Sequence, residues 1–170
     1  PLETMVFTYR ARLNPLTPIG TEVVGGPACV NTPGPEVPRD LGPWRLLNTS
    51  QYRIASRWPG GFNCWRPRGL HAALDLEARS GDPVYPVAPG VVTFAGWWDV
   101  DIGCTVVIRH FNGTTFDYSW YSHLLGAGGE QCNHLVNQSQ IITNINEPIG
   151  AVGNSGRGGV VGPHLHFAYT

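Results

Sequence analysis

Near the C-terminal end of this 170-residue chain, the run "GPHLHFAY" sets His164 and His166 on either side of one leucine. In a strand, side chains two residues apart project from the same face, so the two imidazoles would stand together while Leu165 turns away. Adjacent imidazoles repel once protonated. They make better sense if a metal or a proton-transfer task keeps them neutral. A strand with two surface histidines is the plain alternative, and H-x-H alone does not exclude it.

Two further segments carry side chains of the same kind. "GLHAALDLEARSGDPVYPVAPGVV" places His71 four residues before Asp75, again on one face if the backbone is extended. Alone, such a pair most often means a surface hydrogen bond. Catalytic zinc, however, is commonly held by three N and O ligands with the fourth position left to water. One histidine, one aspartate and one histidine of the H-x-H would form that set. A centre with a single carboxylate ligand keeps a positive charge and can bring the pKa of bound water toward about 7. In "YSWYSHLL", an extended backbone puts Ser119, Tyr121 and His123 on one face. His123 is then either a core histidine or a group that orients water or stabilises a developing oxyanion.

The elements that must carry these side chains are strands. "GVVTFAG", "CTVVIRHF", "TFDYSWYSHLL" and "PHLHFAY" share a β-branched and aromatic bias. Asn112-Gly113, between the second and third, is a hairpin-turn signal. No segment sustains a 3.6-residue apolar period, and there is no internal repeat. The 22 glycines and 15 prolines favour turns joining short strands. More than half of the prolines fall in residues 1–43, including "NTPGPEVPRDLGP". That region is read as an extended Pro-rich arm or linker, its most strand-like stretch being "MVFTYRARL". Residues 44–170 are read as one mostly antiparallel β domain.

Composition narrows the partners. Hydrophobic content of 42% with 14% charged residues is that of a globular chain. A net charge of −1 offers no electrostatic basis for binding nucleic acid. All 11 basic residues are arginines, for which there is no physical account. The best apolar run, "VYPVAPGVVTFAGWW", is broken by proline and glycine and falls short of the ~20 residues of a membrane-spanning helix. Four dispersed cysteines, Cys29, Cys64, Cys104 and Cys132, without a C-x-x-C pair, fit two structural disulfides in an oxidising compartment. Of the three pairings, Cys104–Cys132 and Cys29–Cys64 are favoured because each ties a loop or arm to the nearest strand region; buried free thiols are the alternative. The sequons at Asn48, Asn112 and Asn137 are compatible with a secreted glycoprotein. The start at Pro1, with no initiator methionine and no signal-like run, is read as a processed product or a fragment.

Taken in order, H-x-x-x-D, Y-x-H-L and G-P-H-L-H-F with strand-like spacers resemble the lysostaphin/LytM-type zinc metallopeptidases. These are secreted or envelope-anchored endopeptidases that cut the peptide bridges of bacterial peptidoglycan. The resemblance runs over residues 53–167, from "IASRW" through "HAALDLEARSGDPVYPVAPGVVTFAG" and "TVVIRHFNGTTFDYSWYSHL" to "IGAVGNSGRGGVVGPHLHF". It implies a compact antiparallel sheet or sandwich with a metal site in a groove. It also implies that His71, Asp75 and His166 are zinc ligands and that His164 and His123 are the catalytic pair. The function it implies is a zinc-dependent endopeptidase, secreted or in the cell envelope, acting on peptide cross-bridges or stem peptides of peptidoglycan. Two alternatives stand beside it. One is an inactive member of the same fold, serving as an envelope binding, regulatory or structural module. The other is the same enzyme directed at envelope or filament proteins. The arm 1–43 is open to roles as a groove-blocking pro-segment, a linker, or a site of self-assembly or partner docking.

Some positions depart from the resemblance. Ala73 stands where glycine is usual, and Ala168 where an acidic residue is frequent and would support the site. The connection "GAGGEQCNHLVNQSQIITNINE" is longer than usual and is expected to alter one wall of the groove. The chain ends three residues after Phe167, which implies a fragment or an early end to the sheet. His110 is expected to be structural and His134 solvated. Trp58, Trp65, Trp97, Trp98 and Trp120 are expected in the core or groove wall. "GNSGRGGVVG" lacks the strand–helix setting and the lysine of a phosphate loop, and is read as a flexible turn delivering His164 and His166. No G-x-S-x-G is present to suggest a serine nucleophile.

Overall fold

The computed structural model describes residues 46–47, 65–66, 69–71, 73–111, 113–157 and 162–170. Twelve strands and no α-helix occur among them. The arm 1–43, its boundary with the domain, "IASRW" and the Cys29–Cys64 pairing lie outside the described residues.

Six strands form one antiparallel sheet. Three of them make a meander: β5 (Gly90–Trp97), β6 (Cys104–Phe111) and β7 (Phe116–Ser122). The C-terminal strand β12 (His164–Tyr169) inserts between β7 and β3 (Leu74–Glu77), and β10 (Ile141–Ile142) extends the far edge beside β5. The resulting order is β10-β5-β6-β7-β12-β3. Smaller antiparallel pairs surround it: β1 (Trp65–Arg66) with β2 (Gly69–Leu70), β4 (Pro83–Val84) with β11 (Gly150–Ala151), and β8 (Gly126–Gly128) with β9 (Gln131–Cys132). Beyond Tyr169, the backbone of Thr170 both donates to and accepts from Tyr118.

Strand alternation divides the two faces. Leu76, Val92, Val106, Ile108, Tyr121, Leu165 and Phe167 turn to one side and join Leu46, Leu47, Val84, Leu124, Ile149 and Val152 in a single core. Within β12 this leaves His164, His166 and Ala168 on the other face. Ala168 there stands opposite Trp120 in the register. The tryptophans divide as well: Trp97 packs on the core, whereas Trp98 is 44% exposed and meets Phe94 and Trp120 edge-on.

Two connections differ from the sequence expectation. The β6–β7 hairpin closes at Phe111↔Phe116, so its loop has four residues, with Gly113 at φ +94°. The two phenyl rings pack 5.3 Å apart at this end, and Arg109 covers Phe116, which sets the closing pair beyond the Asn-Gly step. The long connection 126–147 is stapled and not merely inserted. Cys104–Cys132 is a disulfide, as expected, and main-chain bonds tie Ser139 and Gln140 to Val92. That fold-back half-buries His134, contrary to its expected solvation. Its Nε2–H donates to the Ala95 carbonyl at 3.2 Å, and its Nδ1 is buried with no hydrogen-bond partner.

A polar thread runs through the core. His110 is structural: its Nδ1–H donates to the Pro89 carbonyl (2.8 Å) and its Nε2 accepts from Ser119 Oγ (2.7 Å). Tyr121, fully buried, accepts the Val87 N–H at 2.9 Å. Removing that acceptor leaves a buried amide unpaired, so Tyr121→Phe is expected to cost about 1–3 kcal/mol in urea unfolding. Burial, partly offset by the Pro89 bond, pushes the His110 pKa below its ordinary value. The unfolded chain therefore binds the extra proton first. Stability should be full above about pH 6.5 and fall as the pH drops below it. Unfolding midpoints at pH 7 and 5 should show this slope, and it should be shallower in His110→Gln.

Candidate functional site

The site is assembled by the β3–β12 register, which sets His166 directly opposite Asp75. His166 Nδ1 lies 2.8 Å from Asp75 Oδ1, and His71 Nε2 lies 3.3 Å from the same oxygen and 3.2 Å from His166 Nδ1. His71 precedes β3. These three side chains thus offer two nitrogens and one oxygen within 4.8 Å of one another. Such a donor set suits a tetrahedral N/O-ligated cation such as zinc.

Asp75 is buried, and burial by itself would raise its pKa. Hydrogen bonds from His166 and His71, and the charge those rings can carry, outweigh that effect and hold the carboxyl well below the usual range. These contacts favour the carboxylate form, the form a metal ligand must take.

The remaining two predicted site residues lie beside this cluster. His164 Nε2 is 3.7 Å from Asp75 Oδ1, and its Nδ1–H donates to the Gly162 carbonyl at 2.8 Å. His123 Nδ1–H donates to the Ser155 carbonyl at 3.0 Å. The His123 ring sits 4.6 Å from that of His164 and 5.4 Å from that of His166. A carbonyl can only accept, so each ring carries a proton on Nδ1, which makes Nε2 the nitrogen that can gain or lose one. Burial first, then the neighbouring His164 and His166, pushes the His123 pKa down to about 3, so its neutral form prevails.

His123 reaches this position by leaving its strand. Continued extension would have aligned it with Tyr121 into the core, as the sequence pattern suggests. Instead β7 stops at Ser122, and His123 adopts φ +58°, a conformation uncommon for a residue other than glycine. Its N–H donates to the Ile102 carbonyl and its own carbonyl accepts the Gly153 N–H, which together fix the turn. Residues 153–157, expected to be a flexible turn, are likewise anchored. Arg157 N–H donates to the carbonyls of Val100 and Asp101, and its guanidinium pairs with Asp101 at 3.0 Å. Sequence patterning did not single out Ser155. Its only trace there is the flanking Gly153 and Gly156, where a Cβ would approach neighbouring backbone to 2.6 Å.

The family model of Peptidase family M23 matches residues 69–170. The DD-carboxypeptidase/endopeptidase Mpg of Neisseria meningitidis serogroup B is 38% identical over 106 residues, covering 62% of this chain and 20% of that protein. The protein of the same name from Neisseria gonorrhoeae gives the same figures. The chain thus spans about a fifth of the length of the curated relatives it matches. The catalytic domain of the antimicrobial peptidase lysostaphin from Staphylococcus simulans aligns with a TM-score of 0.52 at 24% identity, covering 64% of this chain and 73% of that one. A zinc containing peptidase from Vibrio cholerae aligns with a TM-score of 0.50 at 24% identity, covering 74% and 33%. These two likenesses are of fold.

The donor geometry yields a metal-binding test. Zinc titration of metal-stripped protein should saturate at one ion per chain. His71→Ala, Asp75→Asn and His166→Ala should each abolish that binding, and His123→Ala should leave it.

Proposed function

The chain belongs to Peptidase family M23, and from that premise we propose that it is a zinc-dependent endopeptidase of the bacterial cell envelope, cutting cross-bridges or stem peptides of peptidoglycan. One observation carries the reading. Nε2 of His71, Oδ1 of Asp75 and Nδ1 of His166 converge at hydrogen-bond distances, with two carbonyl-held histidines beside them. The substrate class is supported by the names of the Neisseria relatives, which are carboxypeptidases and endopeptidases. An extracytoplasmic location is supported by the Cys104–Cys132 disulfide, a bond that persists in oxidising compartments. No helix among the described residues is long and apolar enough to cross a membrane.

In this reading His71, Asp75 and His166 hold the zinc. When bound, such an ion lowers the pKa of a coordinated water and polarises a substrate carbonyl. The chain's own residues do the rest. His164 and His123 each have Nδ1 engaged by a carbonyl; His164 would accept a proton at Nε2 and return it, while His123, held neutral by burial, would orient the water through its Nε2. That proton would come from the attacking water and go to the amine of the departing peptide. Asp75, within 3.7 Å of His164 Nε2, favours that ring while it carries the proton. The carbonyls of Gly162 and Ser155 keep both rings from rotating away between the two transfers.

The test uses isolated peptidoglycan, with released peptides identified by mass spectrometry. His164→Ala should lose about 10²- to 10⁴-fold in turnover while its zinc content is unchanged. Wild-type protein that stays metal-free in excess zinc, or a His164→Ala variant with full activity, contradicts the enzyme. Binding to peptidoglycan without cleavage would support a binding module instead.

A further inference from the structure

We propose that Ser155 is the positioning residue for His123, setting its tautomer through one main-chain atom that its own side chain locks in place; this rests on the catalytic reading of His123. Ser155 makes three bonds in different directions. Its carbonyl accepts Nδ1–H of His123 at 3.0 Å. Its Oγ donates to the Leu124 carbonyl at 2.7 Å and accepts the Cys104 N–H at 2.9 Å. The hydroxyl thus joins the start of β6 to the residue that follows His123. The carbonyl that His123 needs is carried on the same residue.

The surroundings leave this residue little room to move. A Cβ on Gly103 would lie 2.5 Å from the Ser155 carbonyl carbon, and one on Gly156 would lie 2.6 Å from the Gly103 nitrogen. Both glycines have φ +65°, so the two backbones meet at a distance that only glycine permits. Gly153, two residues before Ser155, donates to the His123 carbonyl at 3.0 Å. His123 is therefore gripped at its ring and at its main chain by one short segment. That grip offsets the cost of holding a non-glycine residue at positive φ.

The hydroxyl has a role that alanine cannot fill. Without Oγ, the Cys104 N–H and the Leu124 carbonyl each lose a partner, and the Ser155 carbonyl is no longer pinned relative to His123. Removing an outer partner of this kind typically lowers activity about 10- to 100-fold without altering the reacting groups.

Nuclear magnetic resonance of zinc-loaded, ¹⁵N-labelled protein tests this directly. Wild-type His123 should be protonated at Nδ1 in a slowly exchanging downfield resonance, assigned by its loss in His123→Asn. In Ser155→Ala that resonance should broaden or vanish. Its kcat on peptidoglycan fragments should fall about 10- to 100-fold, with KM and zinc content near wild type. Ser155→Thr, which keeps the hydroxyl, should restore both signals. A wild-type His123 protonated at Nε2 overturns the inference whether or not any variant folds. So does Ser155→Ala with a wild-type resonance and kcat. If His123→Asn keeps full turnover, the catalytic reading itself falls, and the positioning role with it.

Discussion

A carboxylate sits at 1% exposure between strands, and the rest of the molecule is arranged so that it can stay ionised there. Burying the Asp75 charge without partners would cost several kcal/mol, enough to remove most of a domain's stability. Three imidazoles approach the same oxygen at 2.8, 3.3 and 3.7 Å. None of them lies on the same element as Asp75: His166 and His164 belong to β12, and His71 precedes β3. The charge can be buried only if β12 lies beside β3 in the observed register. The site thus requires the pairing of β12 with β3 at the edge of the sheet.

β12 serves the core and the site with alternate residues. Leu165 and Phe167 are buried among Leu76, Val106 and Tyr121, while His164 and His166 face Asp75. A slip of one residue would send the imidazoles into the hydrocarbon core and the leucine to the metal-binding face. Apolar packing therefore enforces the registration of the histidines, and pairing on both sides with β3 and β7 holds the strand flat. Six residues, followed by the bonds of Thr170 to Tyr118, are enough to fix two rings.

How much of this could be read from the sequence depends on whether a residue obeys its local period. His164, His166 and Asp75 lie on regular strands, so alternation alone assigns them to one face. β5, β6 and β7 were legible for the same reason, through their β-branched and aromatic runs. His123 breaks the period. Its strand ends one residue earlier, and the positive φ that redirects it is imposed by Ile102 and Gly153, both distant in sequence. His134 could not be placed because a segment rich in polar residues gives no sign of folding back over Val92. Ser155 was hidden differently: the atom that meets His123 is a main-chain oxygen, which every residue has.

The loop between β11 and β12 has more to do than deliver two histidines. Ser155 lies near its beginning and Gly162 near its end, and each gives a carbonyl to the Nδ1–H of a different ring. One connection therefore selects the tautomer of both His123 and His164, although the two rings belong to separate elements. A tautomer chosen by a side-chain carboxylate would vary with that group's protonation and bring a second charge near Asp75. A main-chain carbonyl does neither. Glycine suits both ends of the loop, at Gly156 with φ +65° and at Gly162 with φ +97°, because the chain must turn its carbonyls inward there. The glycine content that reads as flexibility in the sequence is here the condition for placing two acceptors at fixed points.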